Sequence, residues 1–194
     1  MKFPAAKVYA VRGNRGLVAR IRIRRATLDD LDLLVRHRRR MWEEIADFRG
    51  EDLDAADRAY RRWARSRLKS GRLVGFLAET ARREVVSSAC LWLSPVQPAP
   101  AWNGTLAPYL LSMYTEPEHR GKGYATRIVR TAIAWSRERG YNFLLLHASR
   151  HGRSIYAKEG FRRTWEMRLN LDSPRGSSPT KRLEDRSQRP RRRG

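Results

Sequence analysis

The chain has 194 residues, 42 of them Lys or Arg and 20 Asp or Glu, giving a net charge of +22, and 41% are hydrophobic. That length suits one domain with a real core, or at most two small ones. The glycines follow no period and Cys90 is the single cysteine, which excludes collagen-like and disulfide-stapled classes, and no apolar run approaches the roughly 20 residues that a bilayer helix needs. The opening MKFPAAKVYAVRGNRG lacks the long apolar run of a secretory signal, so a cytoplasmic protein in a reducing compartment, with no membrane partner, is expected. Of the basic residues 36 are Arg, a bias that base composition can produce as readily as phosphate recognition can. Residues 1–19 carry +4 and residues 172–194 carry +5, which leaves +13 spread through the middle, and an anionic ligand is a reasonable expectation there.

Residues 1–17 read as a basic extension. Val18 to Arg24 alternates basic and apolar residues after Val18, with strand periodicity. Thr27 stands three residues before Asp30, an N-cap pattern, and Leu28, Leu31, Leu34, Val35, Met41, Trp42 and Ile45 mostly share one face of the helix that follows. A second helix is expected from Leu53 to Ser70, stopped by Gly71. Two strands follow, Leu73 to Thr80 and Val85 to Leu93, joined by a polar turn, and Pro95 to Pro108 is too rich in proline for a central strand and reads as a loop.

Leu110 to Thr115 reads as a short apolar strand. It runs into Glu116-Pro117-Glu118 and then Arg120-Gly121-Lys122-Gly123-Tyr124-Ala125. Ala125, Ile128, Val129, Ala132, Ile133 and Ser136 mark one face of a long helix closed by Gly140. Phe143 to Ala148 is consistent with a buried parallel strand, Arg153 to Glu159 with a short helix ended by Gly160, and Phe161 to Leu171 with a last strand. The tail from Asp172 is rich in Pro, Ser, Gly and Arg and is expected to be disordered, because it cannot bury enough apolar surface to offset its ordering entropy. Its arginines could touch nucleic acid, and a solvated tail is the simpler reading.

A strand that enters a basic, glycine-rich turn and then a helix presents unpaired backbone N–H groups to an anion, and the helix dipole favours negative charge there. Neither nucleotide-loop alternative fits well. A Walker loop needs Ser or Thr after Gly-Lys, where this chain has Gly123, and a Rossmann fingerprint beginning at Gly121 meets Thr126 where its third glycine belongs.

At these residues the sequence resembles the GCN5-related N-acetyltransferase (GNAT) superfamily. The family's Arg/Gln-x-x-Gly-x-Gly/Ala signature is met by Arg120, Gly123 and Ala125, after a Met113-Tyr114-Thr115-Glu116-Pro117 strand end, and Tyr156 precedes Gly160-Phe161 as the family's tyrosine does. The resemblance runs from about Ile21 to Leu171 and is specific from Leu110 to Phe161, so residues 18–171 are taken as the domain. It implies an α/β fold with a mixed, mostly antiparallel, twisted sheet, splayed near Met113 and flanked by helices. It also implies acetyl-CoA as cosubstrate, with the diphosphate on the amides of Arg120, Gly121, Lys122, Gly123, Tyr124 and Ala125. The pantetheine arm would lie along Met113, Tyr114 and Thr115, as an added strand would.

By the same resemblance the activity is acetyl transfer to an amine, on a small molecule or a protein, by direct attack within a ternary complex, and Tyr156 is the acid that protonates the departing thiol. A free amine must lose a proton before it attacks, and Glu43 and Glu44 on the first helix, Glu79 or a water chain are candidates for the base, against the plainer reading of the two helix carboxylates as a solvated face. Arg150 and Arg153 could reach the cofactor's phosphates or remain surface charge. His147 and His151 have the i, i+4 spacing of a zinc motif without its glutamate, so no metal is expected. Cys90 reads as a small buried hydrophobe, and Trp42, Trp63 and Trp92 as core packing rather than an acceptor pocket, with Trp102 open to either use. An acidic run, Asp47, Glu51, Asp52, Asp54 and Asp57, could attract a cationic acceptor. A homodimer is compatible with the sequence. Two other readings stay open: a catalytically silent CoA-binding sensor, and a nucleic-acid-binding protein on the same fold.

Overall fold

The computed structural model describes residues 21–45, 50–100, 102 and 104–167. The basic extension, the start of the predicted first strand, Asp47 and the Arg-rich tail lie outside the described residues. The chain begins with strand β1 (Arg22–Arg25) and a 3-10 turn at Leu28–Asp30 that opens helix α1 (Leu31–Ile45). The cap is the one expected from the sequence: the Thr27 side chain accepts from Asp29 N–H at 3.2 Å, and the Asp30 carboxylate accepts from Thr27 N–H at 2.8 Å. Helix α2 (Glu51–Lys69) ends before Gly71, which takes φ 71°. Strands β2 (Leu73–Glu79), β3 (Val85–Pro95) and β4 (Leu106–Thr115) form an antiparallel meander with β1, in the order β1-β2-β3-β4-β5. Helix α3 (Tyr124–Glu138) then returns the chain so that β5 (Leu145–Leu146) lies parallel to β4, before the short helix α4 (Arg153–Lys158).

Each face of the sheet carries its own core. On one side Val74, Phe76, Val86, Leu91 and Leu110 pack with Ile128, Val129, Ala132 and Trp135 of α3, and with Tyr156 of α4. On the other, Leu73, Leu77 and Cys90 pack with Leu31, Leu34 and Val35 of α1 and Tyr60 and Ala64 of α2. Trp63 and Trp92 meet edge-on at 5.6 Å against this second core, the packing role expected of them. Cys90 is fully buried between sheet and helices, and burial pushes its thiol up to about 12. Gly75 on β2 lets β1 turn in close, because a Cβ there would stand 2.6 Å from that of Ala26.

Three expectations need correction. Pro108 is not in a loop but inside β4, opposite Leu93 of β3. Beside it the outer edge of β4 is open among the described residues, since β5 pairs only with Tyr109 and Leu110, and an open edge is where a strand tolerates proline. The apolar run at Phe143–Ala148 yields only a two-residue strand, with Leu145 37% exposed, its pairing confined to Tyr109 and Leu110 of β4. Just beyond that pairing β4 is irregular: the register of β3 and β4 shifts between Ser88 and Cys90, and Ser112 takes φ 53°, the signature of a bulge, which increases local twist. The predicted last strand is absent over its described part. Phe161–Met167 joins no ladder and leaves Trp165 99% and Met167 94% exposed; alternation alone does not make a strand without a neighbouring edge. Among the described residues, no helix is long and apolar enough to cross a membrane.

Candidate active site

The turn between β4 and α3 has the properties an anion site requires. Gly121 and Gly123 take φ 74° and 84°, a region costly for other residues, and nothing stands within 4 Å of where a Cβ would lie on either. Gly123 is the N-cap of α3 and supplies no side-chain cap. Among the described residues, the amides from Gly121 to Ala125 have no hydrogen-bond acceptor. Free N–H groups at the positive end of a 15-residue helix, beside the exposed Lys122, are suited to a phosphate or diphosphate. Arg120 is held at the mouth of this turn: Nε donates to Thr115 O at 2.9 Å and Nη2 to Glu44 Oε1 at 2.5 Å.

The strand leading into the turn is open on one side. Among the described residues, β4 has no partner on the β5 side past Leu110, so the main chain of Met113, Tyr114 and Thr115 borders a gap in the sheet. Met113 packs against the same apolar cluster as Tyr124 of the turn and Tyr156 of α4, and the structure thereby brings three of the expected site residues together. Tyr156 is 8% exposed, its ring 5.8 Å from that of Phe161. A Cβ on Gly152 would meet Tyr156 Cε2 at 2.8 Å, so glycine is needed for the ring to lie there. Burial pushes the Tyr156 phenol above its ordinary value, which keeps its proton on at neutral pH. Helix α4 is tied to α3 by Arg130, whose Nε donates to the carboxylate of Glu159 at 3.0 Å, while Arg153 sits exposed on the first turn of α4.

The acidic candidates are drawn elsewhere. Glu44 is engaged by Arg120, and Glu43 accepts from Arg39 at 3.3 Å on the α2 side of α1, where Arg39 also binds Asp54 and Asp57. Two acids of the run that the sequence offered as an acceptor lure are therefore already neutralised. Glu79 is buried in a cluster with Arg24, whose Nε lies at 2.5 Å, and Arg24 also grips Asp30. His147 contacts the Tyr109 hydroxyl and lies 3.0 Å from Glu166.

A cluster that sequence reasoning missed lies beneath the end of β4. His37 of α1 is 1% exposed. Its Nδ1 is 2.8 Å from Ser88 Oγ, and its Nε2 is 3.3 Å from Glu116 Oε1, near enough for an electrostatic contact but not aligned as a hydrogen bond. Glu116 also receives Arg40 Nη1 at 2.5 Å and the Tyr114 hydroxyl at 3.4 Å. The available signal was a histidine between Leu34 and Met41 on the apolar face of α1. Desolvation pushes His37 down to about 4, with Arg36 and Arg40 acting in the same direction and Glu116 opposing. A histidine neutral in the fold and titrating near 6.5 when unfolded favours the unfolded chain as protons are added. Its contribution is therefore whole above pH 6.5 and is lost as the pH falls toward 4, on the order of 3 kcal/mol. Urea midpoints measured from pH 7 to pH 4.5 should fall more steeply for the wild type than for His37→Gln. Parallel slopes would show that His37 does not titrate in this way.

Comparison with known proteins agrees with this geometry. Residues 31–161 match the model of the acetyltransferase (GNAT) family. No curated protein matches in sequence. A GCN5-related N-acetyltransferase from Ralstonia eutropha JMP134 is similar over 79% of this chain and 99% of its own, with 29% identity and a TM-score of 0.72. A predicted acetyltransferase from Clostridium acetobutylicum, solved with acetyl-CoA, is similar over 78% and 96%, with 30% identity and a TM-score of 0.71. An aminoglycoside N-acetyltransferase solved with CoA shares the fold, at 15% identity and a TM-score of 0.59 over 83% and 99%. With its splayed mixed sheet, its glycine turn and more than half its length matched, the chain belongs to the GNAT family and is an acetyl-CoA-dependent N-acetyltransferase.

Proposed function

We propose that this enzyme acetylates a primary amine by direct attack on the thioester of acetyl-CoA within a ternary complex. The observation that carries the reading is the row of unbonded amides from Gly121 to Ala125, continuous with the open edge of β4 at Met113–Thr115. In this reading the turn grips the diphosphate, the edge pairs with the pantetheine arm, and a main-chain N–H near Met113 polarises the thioester carbonyl. A donor in that role is worth about 3 kcal/mol where one has been removed from other enzymes.

Two protons must move. The acceptor amine, with an ordinary pKa near 10, gives one up before attack, and the departing thiolate takes one. Tyr156 serves the second step, since burial keeps its phenol protonated until a strong base forms beside it. For the first step Glu43 is the less tightly held of the two α1 carboxylates, its arginine 3.3 Å away against 2.5 Å for Glu44, but it faces α2, so the proton is assigned to water rather than to either carboxylate. Glu44 then acts mainly to hold Arg120 at the turn. Arg153 is assigned to the cofactor's phosphates from its place on the first turn of α4.

A thiol-release screen with acetyl-CoA and a panel of amines, amino acids, aminoglycosides and protein N-termini tests this reading. Turnover with at least one amine is expected, with an acetylated product of matching mass. Calorimetric binding of CoA with no turnover across the panel would replace the enzyme reading with that of a sensor.

A further inference from the structure

Tyr114, Thr115 and Glu116, where β4 ends, are clamped from several elements. Ser87 Oγ on β3 donates to Tyr114 O at 2.8 Å and lies 2.8 Å from Thr115 Oγ1. Arg120 Nε bonds Thr115 O, and the amide of Glu116 donates to Val86 O at 2.9 Å. His37 joins Ser88 to Glu116 from below, its ring 5.1 Å from that of Tyr114. The carboxylate of Glu116 can only accept, so the ring hydrogen belongs on Nε2 and Nδ1 accepts from the Ser88 hydroxyl.

This arrangement is costly in a way that packing does not explain. An apolar ring of the same volume would fill the space without burying two ring nitrogens, one of them imperfectly bonded, and buried polar groups of this kind are often replaceable at no loss of stability. What the polar link supplies is geometry. Among the described residues, no strand pairs with Met113–Thr115 on the β5 side, so the twist of this edge rests on β3 alone, and it follows directly on a bulge whose Ser112 has positive φ.

We propose that His37 is a positioning residue of the acetyl-transfer site: by linking Ser88 to Glu116 it fixes the twist of the open end of β4, and so sets the affinity for the CoA arm that lies there. The inference rests on the proposed placement of the pantetheine arm along Met113–Thr115. The groups that face the imidazole are Ser88 from β3, Tyr114 and Glu116 from the end of β4, and Arg36 and Arg40 from its own helix.

Calorimetry with CoA on the full chain, paired with thermal melting and steady-state kinetics on the best amine from the screen, tests it. His37→Phe should weaken CoA about tenfold, the scale of one buried hydrogen-bonded link, while its melting temperature holds or rises. Its KM for acetyl-CoA should rise in parallel, with kcat within about twofold of wild type. His37→Gln, which can still reach Glu116, should recover most of the affinity, and Ser88→Ala should lose it even where the His37→Phe variant fails to fold. Unchanged CoA affinity in His37→Phe and Ser88→Ala alongside a lower melting temperature would overturn the positioning role and leave the acetyltransferase reading standing. A wild-type chain that does not bind CoA would overturn both.

Discussion

Tyr156→Phe should lower kcat about a hundredfold, the lower end of what a positioned general acid contributes, with CoA affinity unchanged within about twofold. The substitution is clean because the ring is held by its faces and edges. It packs with the α3 core, meets Phe161 at 5.8 Å and lies against Gly152, and all of these contacts survive removal of the oxygen. What the proposed role would lose is the proton that burial holds on the phenol. The deficit should shrink for acetyl donors whose thiol leaves as a more stable anion, since such groups need less protonation. Equal rates for the wild-type and Tyr156→Phe enzymes with acetyl-CoA would reduce the residue to a packing role.

Gly123→Val should weaken CoA about thirtyfold, through the backbone rather than through collision. No atom stands near the position a side chain would take, but φ is 84°, and a β-branched residue held there costs about 2 kcal/mol. The turn would relax by rotating its amides, and the anion would lose the donors it needs. Calorimetry at pH 7 reads this directly, and inorganic pyrophosphate as a competitor should lose affinity in parallel. A variant that binds CoA normally would mean that the diphosphate is held elsewhere.

Much of the fold was legible because its local signals are strong. Thr27 with Asp30, Gly71, and the i, i+3, i+4 series from Ala125 each specify an element end or face through chemistry within one helical turn, and the structure has each of them. The failures share a different cause. Pro108 in β4, the two-residue β5 and the unpaired Phe161–Met167 all depend on whether another strand lies alongside, which is a tertiary fact with no local signature. The glycine turn could be found in sequence because its residue types are constrained by backbone shape, whereas Tyr156 was singled out only by the resemblance to the GNAT family. The partners of Glu43 and Glu44 could not be read, because in a chain with 36 arginines nearly any carboxylate has one in reach, and only the fold decides which. His37 was hidden for the opposite reason: a single histidine on an apolar helix face looks like filler until Ser88 and Glu116 arrive from distant parts of the chain.

The burial of Cys90 limits the reaction's course. It is the chain's one sulfhydryl, sealed against solvent between β2, β4 and α2, and its elevated pKa leaves almost no thiolate at neutral pH. So placed, Cys90 is out of reach as an acetyl carrier, which accords with the direct transfer proposed above. The same seclusion means that thiol-modifying reagents should leave turnover untouched.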